Sequence, residues 1–122
     1  MTMFQTLRKA AALAATATAA LLLTSTQAQA ATTHGCPSGA FCVYPQNTGW
    51  NNDVPSHIYW SGVYNLSNQV GSHTVFNNQT DGWVVDLCRA YNGVDCPWYM
   101  GPGAASTLDI TVINSIRLRP GG

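Results

Sequence analysis

Four cysteines, Cys36, Cys42, Cys88 and Cys96, constrain this chain more than any other feature. An even number of cysteines in a small exported domain reads as a pair of disulfides, for which three pairings exist. Cys36–Cys42 and Cys88–Cys96 are favoured, because each pair is close in sequence and spans turn formers. Pro37, Ser38 and Gly39 bend the first segment, and Asn92 and Gly93 bend the second. Each closed loop restricts the unfolded chain by roughly 2–3 kcal/mol if its native geometry is unstrained. A zinc site built from the same thiolates wants C-x2–4-C spacing. The spacings here are C-x5-C and C-x7-C, so no metal is expected.

The assumption of export rests on the first thirty residues. Arg8 and Lys9 precede an apolar run from Ala10 to Leu23, and Ala28-Gln29-Ala30 follows a short polar stretch. A charged start, a short apolar core and an A-x-A site describe a secretory signal peptide, with cleavage expected after Ala30. The run is shorter than the roughly 20 residues of a spanning helix. Residues 31–122 then form one secreted, extracellular domain, without a membrane segment after processing. Its charges are Arg89, Arg117 and Arg119 against Asp53, Asp81, Asp86, Asp95 and Asp109, with no Glu and no Lys. This balance lacks the basic face that a nucleic-acid partner requires.

Strand signals dominate this mature part. Ala40–Tyr44, Ile58–Tyr64 with a bend at Gly62, His73–Phe76, Trp83–Tyr91, Pro97–Met100 and Leu108–Leu118 are rich in aromatic and β-branched residues. Asp81-Gly82 reads as a hairpin turn. Short strands separated by turns predict an all-β sandwich or barrel. A loose repeat of about forty residues also aligns Tyr59, Gly62, Leu66 and Thr74-Val75 with Tyr99, Gly103, Leu108 and Ser115-Ile116. Each half would be a four-stranded unit covering the other's apolar face.

Three segments carry a family resemblance. They are Cys36-Pro37-Ser38-Gly39-Ala40-Phe41-Cys42-Val43-Tyr44, Thr74-Val75-Phe76-Asn77-Asn78-Gln79-Thr80, and Gly101-Pro102-Gly103 followed by Asn114-Ser115-Ile116-Arg117-Leu118. Together they resemble the small secreted actinobacterial proteins grouped with the streptomycete metalloproteinase inhibitor. The resemblance implies a βγ-crystallin-like double Greek-key sandwich and a peptidase-inhibiting activity. The calcium signature of crystallin-type domains is missing at Gln69–Thr74 and Ile110–Ser115, so a calcium site of that type is not expected. The resemblance does not place a reactive loop residue by residue.

Catalytic chemistry finds little support. The Asp residues sit in turn contexts, such as Asp81 before Gly82. Asp53, Ser56 and His57 could be drawn as a relay, but no G-x-S-x-G elbow accompanies them, and neighbours on a strand face opposite sides. His34, His57 and His73 show no metal-binding spacing. Asn65-Leu66-Ser67 and Asn78-Gln79-Thr80 match the glycosylation pattern and read better as polar turns. No enzyme activity and no cofactor are expected.

Binding is the better expectation. The stapled loop Arg89, Ala90, Tyr91, Asn92, Gly93, Val94 and Asp95 is the candidate for entering a protease cleft, with Val94 filling an apolar pocket of a thermolysin-like metalloprotease. Pro37–Phe41 is a lesser candidate. The alternatives are a glycan or cell-wall binding module and a structural secreted protein without a ligand. The glycan module would use exposed Trp and Tyr, with hydrogen bonds from Asn51-Asn52 and Asn77-Asn78. A protruding stapled loop favours inhibition and a flat aromatic strip favours glycan. A monomer is expected.

Overall fold

The computed structural model describes residues 31–122. The signal peptide expected over 1–30 lies outside the described residues. Among those described, the strands are β1 (Ala40–Val43), β2 (His57–Tyr59), β3 (Gly62–Asn65), β4 (Ser72–Asn78), β5 (Trp83–Cys88), β6 (Trp98–Met100), β7 (Ala105–Asp109) and β8 (Ser115–Pro120). They build two four-stranded antiparallel sheets, ordered β2-β1-β4-β7 and β3-β8-β5-β6. The third strand of each half thus completes the sheet of the other half. The four strands of each half are therefore spread over both sheets, three in one and one in the other.

The registers place the repeat residue by residue. Phe41 pairs with Tyr59 and Asn77, and Val85 pairs with Met100 and Leu118. Superposing these ladders makes Thr74-Val75 the counterpart of Ser115-Ile116, and Leu66 the counterpart of Leu108. Those two matches agree with the sequence reading. Tyr59 corresponds instead to Met100, and Gly62 to Ala104, one residue away from the expected partners. Aromatic neighbours on adjacent positions had hidden the slip.

Three expected strands also change: Ile58–Tyr64 breaks at Trp60-Ser61 into β2 and β3, which lie in different sheets. β5 stops at Cys88 rather than Tyr91, because the chain turns back to form the second disulfide. The expected strand Leu108–Leu118 breaks into β7 and β8, which lie in different sheets. The break is made by Asp109, whose Oδ1 accepts from Thr111 N at 2.9 Å and Thr111 Oγ1 at 2.6 Å. These hydrogen bonds hold its carboxyl below the usual range. Asp81 and Gly82 do turn with positive φ, and Trp83 N donates to Thr80 O. β4 and β5 belong to different sheets, however, so this turn links sheets rather than closing a hairpin.

Alternation along the strands sends one face of each sheet inward. Phe41, Val43, Val75, Val85, Leu87, Met100, Ile116 and Leu118 meet in the main core with Leu66, Ile110 and Ile113. Tyr59 and Tyr64 pack against it with ring centroids 4.9 Å apart. The outer face of the first sheet carries a second cluster of Cys36, Ala40, Cys42, Tyr44 and Phe76, with Trp50 against it. Trp50 meets Tyr44 and Phe76 edge-on and stacks on His34 at 3.8 Å. Gly35 makes that cover possible: a Cβ there would lie 1.8 Å from the Asp53 carbonyl oxygen. The Tyr44 hydroxyl donates to His34 O at 2.6 Å, and burial, reinforced by the Asp53 charge, pushes its pKa up to about 12. Among the described residues, no helix is long and apolar enough to cross a membrane.

Candidate functional site: a stapled loop on the second sheet

Both short-range disulfides, Cys36–Cys42 and Cys88–Cys96, are formed. They sit in different environments. Cys36 and Cys42 are fully buried, and Ala40 and Phe41 between them belong to the cores. Pro37–Phe41 is therefore part of the packing and offers no protruding segment, which corrects its candidacy. Arg89–Asp95 instead lies at the surface, with Tyr91 55% and Val94 57% exposed.

The loop closes on itself as a miniature hairpin. Arg89 N donates to Asp95 O at 2.8 Å, and Ala90 N donates to Val94 O at 3.1 Å. Asn92 and Gly93 take positive φ at its tip, a conformation open to Asn and Gly. The Arg89 and Asp95 side chains pair across the base at 3.1 and 3.3 Å. Both are about half exposed, so this pair is worth at most about 1 kcal/mol. The Arg89 guanidinium also lies 5.6 Å from the Trp98 ring centroid.

Hydrogen bonds from three distant residues hold this hairpin to the sheet. Asn65, at the end of β3, accepts from Asn92 N at 2.7 Å and donates through Nδ2 to Asn92 Oδ1 at 3.1 Å. Ser115 Oγ accepts from Gly93 N at 2.9 Å and donates to Ala90 O at 2.6 Å. Asn114 Nδ2 donates to Arg89 O at 2.7 Å. Ser115 is fully buried, so the loop backbone is held from beneath. A Cβ on Gly93 would meet both Val63 methyls at 3.3 Å, which makes the contact with β3 tight. The sequence pointed to the loop through its cysteines but gave no sign of these clamps. Asn65 reads in the sequence as a polar turn residue that also matches the glycosylation pattern, and Asn114-Ser115 as the interior of the strand Leu108–Leu118.

The remaining expectations fare differently. Ser56 and His57 do meet, with Ser56 Oγ 3.0 Å from His57 Nδ1, because Ser56 precedes β2 and does not alternate with it. The Ser56 hydroxyl, however, donates to Val43 O at 3.0 Å, and Asp53 is paired with His34 at 2.9 Å. These side chains form no relay. Asn77 and Asn78 cannot serve a glycan as drawn: Asn77 is fully buried, and Asn78 Nδ2 donates to Cys36 O. Among the described residues, Trp60, Tyr91, Trp98 and Tyr99 are the strongly exposed aromatics: Trp60 and Tyr91 lie in links between strands, and Trp98 and Tyr99 are neighbours on β6, where alternation points them to opposite faces. No family model, no curated protein and no solved structure matches the chain.

Proposed function

We propose that this chain is a secreted peptidase inhibitor that binds a protease cleft through Arg89–Asp95. One observation carries this reading: two half-exposed side chains, Tyr91 and Val94, project from a backbone fixed by a disulfide and by Asn65, Asn114 and Ser115. A loop already ordered in the free protein loses little conformational entropy on binding. The Cys88–Cys96 bond spans the whole segment, so a cut within it would not let the two ends separate. Val94 offers a branched apolar side chain to a hydrophobic specificity pocket, of the kind a thermolysin-like metalloprotease presents, and Tyr91 adds a rigid aromatic anchor.

The exchange of third strands between the sheets supports the βγ-crystallin-like double Greek-key reading, and with it the resemblance to the streptomycete metalloproteinase inhibitor group. Export is supported by the pattern of residues 1–30 and by two disulfides, which persist in oxidising compartments. The test is a titration of a thermolysin-like metalloprotease and of subtilisin with the oxidised domain 31–122. Stoichiometric loss of activity of the metalloprotease is expected. Undiminished activity of both enzymes at a large excess of folded domain counts against the proposal.

A further inference from the structure

Trp60, in the link between β2 and β3, and Trp83, the first residue of β5, border one cleft of about 300 Å³. Gly39, Ser61, Gln79 and Thr80 complete its lining. This volume is at the small end of ligand-sized sites, which run to about 1,000 Å³. Trp60 is half exposed, and its six-membered ring lies beside Gly39, where a Cβ would stand 3.6 Å from Cζ3. No charged side chain lines the cleft.

Gln79 gives the cleft its polar specificity. The residue is only 6% exposed. Its Nε2 donates to Asn77 Oδ1 at 2.9 Å, which fixes the orientation of the amide. Gln79 Oε1 has no partner among the described residues, and neither do the Ser61 and Thr80 hydroxyls. A buried acceptor without a donor is unfavourable, and such groups in native proteins call for an explanation.

We propose that this cleft is a binding site for a neutral saccharide. Indole faces stack on the C–H face of a pyranose ring, which has one apolar side and a rim of hydroxyls. One of those hydroxyls would donate to Gln79 Oε1, with Ser61 and Thr80 on the rim. The uncharged lining disfavours phosphate, sulfate and uronate groups, which require a cationic partner. A purely apolar ligand would leave the Gln79 oxygen unsatisfied. Trp83 and Cys88 are the first and last residues of β5, so the cleft and the stapled loop are about 17 Å apart along the strand. The chain can therefore hold a glycan at one end of β5 while the loop is engaged at the other. The saccharide site stands whether or not the loop inhibits a protease.

The experiment is a titration of the oxidised domain with tetrasaccharides of glucose, N-acetylglucosamine, xylose and mannose, read by the NMR resonances of the indole N–H groups. At least one sugar should shift the Trp60 and Trp83 signals saturably, with a Kd of about 1 mM or tighter. Trp60→Ala, an exposed position that should leave folding intact, should weaken that binding at least about tenfold, a difference of about 1.4 kcal/mol. Trp98→Ala, on another edge of the molecule, should leave it unchanged. Shifts confined to Trp50 or Trp98, binding that survives Trp60→Ala, or no response to any of these sugars at about 10 mM would overturn the proposal.

Discussion

Asn77 stands on β4 where its counterpart on β8 is Leu118, a core residue. A fully buried amide at such a place is tolerable only if its hydrogen bonds are made. They are: Oδ1 accepts from Gln79 N and Nε2, and Nδ2 donates to Met100 O at 3.0 Å and Trp83 O at 3.3 Å. Asn77 thereby fastens the start of β5 and the end of β6, both in the second sheet, to a strand of the first. Asn77→Leu, despite matching Leu118 in character, should lower unfolding free energy by roughly 2–4 kcal/mol, because it strands several buried backbone groups. Chemical denaturation measures this. Asp86 does related work on the outer face of the second sheet, where Arg119 Nε at 2.6 Å and Arg117 Nε at 2.8 Å clamp it. Burial by itself pushes its carboxyl up, but the hydrogen bonds and charges of Arg119 and Arg117 outweigh that and hold it below its ordinary value. A carboxyl depressed in the folded state contributes stability above its unfolded pKa, near pH 4, and loses it as pH falls through the folded value. Stability should therefore decline below about pH 4, and Asp86→Asn should flatten that part of the pH profile while lowering stability at neutral pH. Thermal unfolding between pH 2 and 7 of wild type and variant gives the comparison.

The stapled loop is an element whose order has two sources, and they can be separated. Replacing Cys88 and Cys96 by Ala should cost roughly 2–3 kcal/mol of global stability through the unfolded chain. Ser115→Ala acts on the folded state, leaving Gly93 N and Ala90 O without their partner, and should cost roughly 1–3 kcal/mol. Its more specific signature is faster amide exchange at Gly93, with β4 still protected. Had the Asn92 and Gly93 amides already been exchanging freely in the wild type, the loop would not be pre-ordered. The contrast between sources also explains how far the sequence could be read. The cysteine spacing, the period-two alternation and the turn formers are local signals, and they located most of the strands, both disulfides and the loop. The clamps are non-local: Asn65 reaches Asn92 across 27 residues, and Ser115 reaches Ala90 across 25. No local pattern encodes such contacts. The break at Ile110–Asn114 was hidden because its apolar residues continue the strand composition, and only the Asp109-x-Thr111 spacing marks it. Asn77-Asn78 looked like a turn because Asn usually sits in one. Whether β3 and β7 stay with their own halves depends on which sheet edges remain free, a property of the assembled sandwich.

At the scale of the whole molecule, the exchange of β3 and β7 locks the two halves together, since neither sheet is complete without a strand from the other. Such a frame keeps both ends of β5 fixed relative to each other, with the cleft lined by Trp60 and Trp83 at one end and the stapled loop at the other. In the proposed account the loop acts on a protease and the frame does no more than hold it still. Substitutions on the loop surface should then change inhibition without changing stability. Val94 is the position where this separation is sharpest, because it is exposed and its side chain is not needed for the loop's hydrogen bonds. The most direct measurement is the inhibition constant of a thermolysin-like metalloprotease for wild type and Val94→Asp, with both unfolding midpoints recorded alongside. The account predicts a loss of affinity of at least about a hundredfold, roughly 2.7 kcal/mol, at an unchanged midpoint. Equal inhibition by the two proteins would contradict it, as would an absence of inhibition by the folded wild type.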